Sequence, residues 1–176
     1  MKGLTKRSFT YLDKSMFLKL YKSIIRPHLE YANVIWSPLY KGQLNDLEKV
    51  QRSATKMIPT LKDKTYTQRL KVLGLPSLRY RQIRNDLIQA YKIINNIDNI
   101  KCDDFFKFSS MDKTRNNTLK LYKPFAKTNI RKNFFSHRVV DYWNKLSPST
   151  KSSPDLTKFK INIDNDLKDI KYILSD

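Results

Sequence analysis

Lys14-Ser15-Met16-Phe17-Leu18-Lys19-Leu20-Tyr21-Lys22-Ser23-Ile24-Ile25-Arg26-Pro27 is the stretch whose spacing decides the fold class. Phe17, Leu20, Tyr21, Ile24 and Ile25 recur at i, i+3, i+4, i+7 and i+8, which is one face of an α-helix. Lys19, Lys22 and Arg26 form a separate basic stripe at i, i+3 and i+7. A residue before proline avoids the α region, so Arg26-Pro27 ends or kinks this helix. Pro27 then suits the first position of a second helix, with Tyr31, Val34 and Ile35 facing inward as far as the Ser37-Pro38 break.

Working outward, residues 43–58 repeat the design. Leu44, Leu47, Val50, Ala54, Met57 and Ile58 make the expected buried stripe, and Lys49, Arg52 and Lys56 a second basic row. Amphipathic helices so closely spaced predict a three-helix bundle over residues 1–62. Connecting helices follow over 63–100. Thr65 with Gln68 is a capping box for a short helix ending at Gly74. Ser77 caps a long helix to about Asn95, with Tyr80, Ile83, Leu87, Tyr91 and Ile94 inward.

From Asn95 to Asn117 the period fades, and 101–130 reads as a basic loop and short-strand segment. Asn, Asp and Ser dominate, Phe105, Phe106 and Phe108 anchor a turn, and Leu119 and Leu121 alternate weakly with Thr118, Lys120 and Tyr122, as in a strand. Residues 131–176 predict a helical pair. Its first helix buries Phe135, Val139, Tyr142, Trp143 and Leu146 and ends before Pro148. The second is capped by Ser153, with Pro154 at its first position and a face of Leu156, Phe159, Ile163, Leu167 and Ile170. The expectation is a mainly α fold, a helical bundle followed by a helical extension with at most one short β hairpin. Only 3 glycines in 176 residues argue against glycine-rich phosphate loops and hairpin-dense sheets.

The charge is extreme: 35 Lys and Arg against 16 Asp and Glu, a net +19. A surface of that sign gains affinity for polyanions by releasing counterions from phosphates. An AT-rich codon bias inflates Lys, Asn and Ile, but does not account for the shortage of acids. The excess lies in residues 1–151, which carry 31 Lys and Arg against 11 Asp and Glu, whereas 152–176 are near neutral. Residues 113–138 hold Lys113, Arg115, Lys120, Lys123, Lys127, Arg131, Lys132 and Arg138 without one acid. Tyr122, Phe125, Phe134 and Phe135 are interleaved with them. Cations track phosphates and rings stack on unpaired bases, the pairing expected of a nucleic-acid surface; against this, Phe135 suits the core, and Tyr122 either setting.

Catalytic constellations are poorly supported. Asp103-Asp104 offers paired carboxylates of the kind that hold metals in nucleotidyl transfer, but no apolar strand bearing another Asp precedes it. Loop solvation or helix capping suits the pair better. Ser136, His137 and Asp141 sit along one helix and point in different directions, so they fail as a triad, and His137 reads as part of a basic face or a capped surface position. The single Cys102 excludes an internal disulfide and a cysteine-based zinc site, and no metal site is expected. No apolar run approaches a membrane span and no signal-peptide core follows Met1, so the expected location is intracellular, nuclear or cytoplasmic, and not secreted.

Several blocks in order resemble a known family. They are Leu20-Tyr21-Lys22-Ser23-Ile24-Ile25-Arg26-Pro27-His28-Leu29-Glu30-Tyr31-Ala32 running to Trp36-Ser37-Pro38, then Leu47-Glu48-Lys49-Val50-Gln51-Arg52-Ser53-Ala54-Thr55-Lys56, and Leu73-Gly74-Leu75-Pro76-Ser77-Leu78. Thr114-Arg115-Asn116, Phe134-Phe135-Ser136-His137-Arg138-Val139-Val140 and Trp143-Asn144 continue the series. Together they resemble the region after the palm in jockey-like non-LTR (LINE) retrotransposon reverse transcriptases, RNA-directed DNA polymerases of mobile elements. The resemblance implies a thumb that grips primer–template duplex, RNA/DNA hybrid included, through its phosphates, with no membrane or small-molecule partner. Lys19, Lys22, Arg26, Lys49, Arg52 and Lys56 would hold the duplex, and Arg115, Lys120, Lys123, Arg131, Lys132 and Arg138 would extend the groove. It further implies a truncated polymerase, with Met1 where the thumb begins and the palm and fingers as missing partners. Mg2+ and the metal-binding aspartates would belong to that palm, leaving no cofactor and no catalytic residue here, and this chain inactive alone. The rival expectation is a non-functional or self-associating helical module with no nucleic-acid role.

Overall fold

The computed structural model describes residues 12–36, 41–109 and 119–173. It is mainly helical, as the periodicity predicts, and divides into two compact units. The first comprises Met1–Ala32, Tyr40–Arg81 and Ile170–Asp176, the second Asn33–Leu39 and Gln82–Asp169.

In the first unit, α1 (Lys14–Leu20) is capped by Asp13, whose Oδ1 accepts the Met16 N–H at 2.6 Å. Pro27 falls in the first turn of the next helix, as expected, and the chain stays helical through the junction. A wide turn over Tyr21–Ile25 sends the Arg26 N–H to the Tyr21 carbonyl, five residues back, and α2 (Arg26–Glu30) continues from it. Pro27 has no N–H, and its ring crowds the carbonyl four residues earlier; one widened turn accommodates both. The expected inward face beyond it does not form. Tyr31 leaves helical geometry, Ala32 takes a left-handed φ of 50°, and Tyr31 and Ile35 are 79% and 84% exposed.

α3 (Lys41–Thr55) packs through Leu44 and Ala54, with Ile58 just beyond it. Val50, expected inward, is exposed at 41%, whereas Glu48, Gln51 and Thr55 are buried. α4 (Tyr66–Leu73) opens on the predicted Thr65–Gln68 capping box and stops at Gly74, whose φ of 64° suits a residue without a Cβ. Phe17, Tyr21, Ala54, Ile58, Leu61, Leu70, Leu73 and Leu75 form the apolar core, in which Phe17 and Tyr21 stack at 5.7 Å.

The buried polar stripe of α3 is satisfied in full by its neighbours. Glu48 accepts the Tyr66 hydroxyl at 2.5 Å and the Leu78 N–H at 3.0 Å, closing the start of α5 (Leu78–Ile94). Gln51 accepts from the Tyr21 hydroxyl and donates to the Pro76 carbonyl at 3.0 Å. Arg69 donates to Thr55 Oγ1 at 3.1 Å and to the Lys64 carbonyl at 2.6 Å. Burial pushes the Glu48 carboxyl and both phenols above their usual ranges and the Arg69 guanidinium below its own. Ser77 accepts the Tyr80 N–H at 3.2 Å, the expected cap.

The second unit is built on Ile83, Leu87, Ala90, Tyr91 and Ile93 of α5. The expected helix over 131–145 divides at Phe134, whose ψ of 143° is extended, into α6 (Asn129–Asn133) and α7 (Phe135–Lys145). Ser147 caps an additional turn, α8 (Pro148–Lys151). α9 (Leu156–Asp166) is capped by Asp155 rather than Ser153. Ser153 turns inward instead, donating to the Thr150 carbonyl at 2.7 Å. Phe159 stacks on Tyr91 at 4.1 Å and lies 6.0 Å from Trp143; with Ile163 these rings fill the core.

Candidate nucleic-acid interface

The weak strand signal at 118–123 becomes, among its described residues, one rung of antiparallel pairing, Phe108 opposite Leu121. The Ser109 N–H donates to the Lys120 carbonyl at 2.8 Å and the Tyr122 N–H to the Lys107 carbonyl at 2.7 Å. Leu121 therefore aims its own N–H and carbonyl to the opposite edge. There the Asn144 amide takes both, accepting at 2.9 Å and donating at 2.9 Å, as a third strand would. The Trp143 indole N–H holds the Leu119 carbonyl at 2.9 Å. Leu121 is buried while Lys120 and Tyr122 stand outward on either side of it, so α7 holds a short extended ridge with its cation and ring toward solvent.

That ridge runs into an exposed basic and aromatic surface. Tyr122, Phe125, Ile130 and Phe134 are exposed, with Phe125 at 86%, interleaved with exposed Lys123, Lys127, Arg131 and Lys132. The Arg131 guanidinium lies 5.4 Å from the Phe134 ring centre. Lys123 forms an ion pair with Asp141. Phe135 belongs to the core, edge-on to Phe105 and Phe106.

Arg138, placed with the groove cations from the sequence, is instead built into the second unit. Its side chain, 11% exposed, holds Asp86 through two bonds of 2.8 Å. It also donates to the carbonyls of Asn133 (2.8 Å), Val34 (2.8 Å) and Asn33 (3.2 Å). Arg115 lies outside the described residues.

In the first unit Lys19 and Lys22 are exposed, and Arg26 is half-buried near Glu30, which makes a bidentate pair with Arg81. Lys49 and Arg52 project from α3 one residue, about 100°, round from the buried polar stripe, and Lys56 is exposed just past its end. Lys49 pairs with Asp46 at 2.8 Å, and the Arg52 guanidinium sits 5.0 Å from the Tyr66 ring centre.

No protein-family model, curated protein or solved structure matches this chain.

Asp103 and Asp104 lie exposed in a single 3-10 turn, Cys102–Asp104. Among the described residues no cluster of His, Cys, Asp and Glu has the arrangement of a metal site, and no helix is long and apolar enough to cross a membrane. His137 is not on a basic face but buried. Its Nε2 stands 2.7 Å from the Pro124 carbonyl, so that nitrogen carries the proton, and its buried Nδ1 has no partner among the described residues. Asp141 is taken by Lys123, so the Ser136–His137–Asp141 series has no relay geometry. Lys151 was missed from the sequence: it is buried, donates to the Asn144 carbonyl at 3.2 Å, and burial with the neighbouring Lys120 charge lowers its pKa.

Proposed function

We propose that this chain is the thumb-like and following region of a jockey-like non-LTR retrotransposon reverse transcriptase, and that it binds nucleic-acid duplex through phosphates. The observation that carries the reading is the exposure of its basic residues without acidic partners. Among the described residues Lys19, Lys22 and Lys56 in the first unit and Lys120, Arg131 and Lys132 in the second have no acidic partner. Lysines at the surface point at water unless an anion draws them in, and a duplex presents one every few ångströms. The ordered sequence blocks supply the family; the cations supply the grip. Mg2+ and the catalytic aspartates belong, on this reading, to the palm of such enzymes.

Six phosphate contacts give log K a slope on log salt of about −5. Fluorescence anisotropy of a labelled RNA/DNA hybrid, titrated at several salt concentrations, reads that slope. A slope near zero, or no binding at low salt, overturns the proposal. Concentration-dependent light scattering without nucleic-acid affinity would favour a self-associating module, for which exposed Phe125 and Ile130 provide the apolar surface.

A further inference from the structure

The ridge at Leu121 borders an open cleft of about 550 Å³, lined by Lys107, Phe108, Ser109, Lys120, Leu121, Tyr122, Lys123 and Asn144. That volume lies within the range of small-ligand sites. Its chemistry is one-sided. Three lysines surround two partly exposed rings, Phe108 at 43% and Tyr122 at 55%, and among the described residues the lining contains no carboxylate. Lys123 is the one cation of the three already paired; among the described residues Lys107 and Lys120 have no acidic partner. In antiparallel register with Phe108 opposite Leu121, Lys107 stands across from Tyr122 and Ser109 across from Lys120, so ring and cations share the outward side.

Resting on the nucleic-acid reading above, we infer that this cleft is a subsite for an unpaired nucleotide, sharing Lys120 with the duplex grip and otherwise separate from it. Tyr122 is the stacking platform, and Lys107 and Lys120 hold the flanking phosphates. A planar base needs an exposed ring face and its phosphates need unpaired cations, and the cleft supplies both within one rung of backbone pairing. It reads no particular base. Asn144, the one side-chain amide among the described residues of the lining, has both ends occupied by the Leu121 backbone. The hydroxyls of Ser109 and Tyr122 suit any base edge. The ridge holds its shape before binding, because Asn144 and Trp143 anchor it to α7.

The experiment titrates the full chain against a fluorescein-labelled thymidine oligonucleotide of about 12 nucleotides and against a duplex of the same length. Tyr122→Ala weakens single-strand binding roughly tenfold, Tyr122→Phe retains it, and duplex affinity stays within about twofold. Lys107→Ala with Lys120→Ala lowers the single-strand salt slope by about 1.4. Circular dichroism checks that the variants fold, which the exposure of Tyr122 leads us to expect. Tyr122→Ala binding the oligonucleotide as the unmodified chain does, or losing both ligands alike, overturns the subsite. If the unmodified chain binds duplex but not single strand, the subsite alone falls. If it binds neither, the nucleic-acid reading falls and takes the subsite with it.

Discussion

Replacing Arg138 separates a cation that holds the protein together from one that holds a ligand. In Arg138→Met the aliphatic stem remains, but Asp86 loses two 2.8 Å bonds and the carbonyls of Asn133, Val34 and Asn33 lose their guanidinium donors. The side chains of Arg138 and Asp86 are 11% and 6% exposed, so water makes good little of the loss. Removing one partner of a buried pair costs about 3–5 kcal/mol. For a chain of this size that lowers the melting midpoint by roughly 10 °C. Urea and thermal unfolding followed by circular dichroism measure it. Asp86→Leu combined with Arg138→Met recovers much of the loss, since the buried carboxylate goes with its guanidinium. Lys132→Ala is the contrast: exposed, it leaves the midpoint unchanged and lowers the duplex salt slope by about 0.9. If Arg138→Met melts with the unmodified chain while flattening the salt slope by the same amount, Arg138 is a phosphate ligand and the structural argument is wrong.

Two further outcomes follow from the interior. Burial raises the Glu48 carboxyl above its unfolded value, so the folded state holds its proton longer than the unfolded one. The unmodified chain therefore loses stability as pH rises from the ordinary carboxylate range through that raised value, and Glu48→Gln gains on it across the same window; urea midpoints from pH 4 to pH 8 that keep a constant difference would refute this. Asn144→Ala removes both amide bonds to Leu121 and costs about 1–3 kcal/mol. Hydrogen exchange at the Leu121 amide should quicken in that variant, and an unchanged rate would show that the ridge does not depend on the clamp.

Local chemistry was legible in the residues alone. Thr65, Gln68 and Gly74 begin and end a helix with bonds that span a few positions, so a single window of sequence contains the whole device. Phe159 and Ile163 declared themselves by spacing and size, and both are buried. The helical class followed from the same periodicity, and the scarcity of paired strands among the described residues from the shortage of glycine. The chain's basicity is likewise a property of composition.

Which polar groups go inside was a tertiary decision. Glu48 and Gln51 lie within two residues of Val50 in sequence, and hydrophobicity ranks them the wrong way round. Their partners are 18 to 30 residues distant, Tyr66 and the Leu78 N–H for Glu48 and Tyr21 for Gln51. A buried polar group is tolerable only when bonded, and only folding brings those donors and acceptors together. Arg138 shows the same rule from the cation's side. Among its basic neighbours it looked like one more phosphate contact, until Asp86, 52 residues away, met its guanidinium. Lys120 lies within the same basic run but meets no such distant acid among the described residues, and it is exposed. Sequence set how much positive charge the chain has; the folded contacts decided which of it remains at the surface to bind anything.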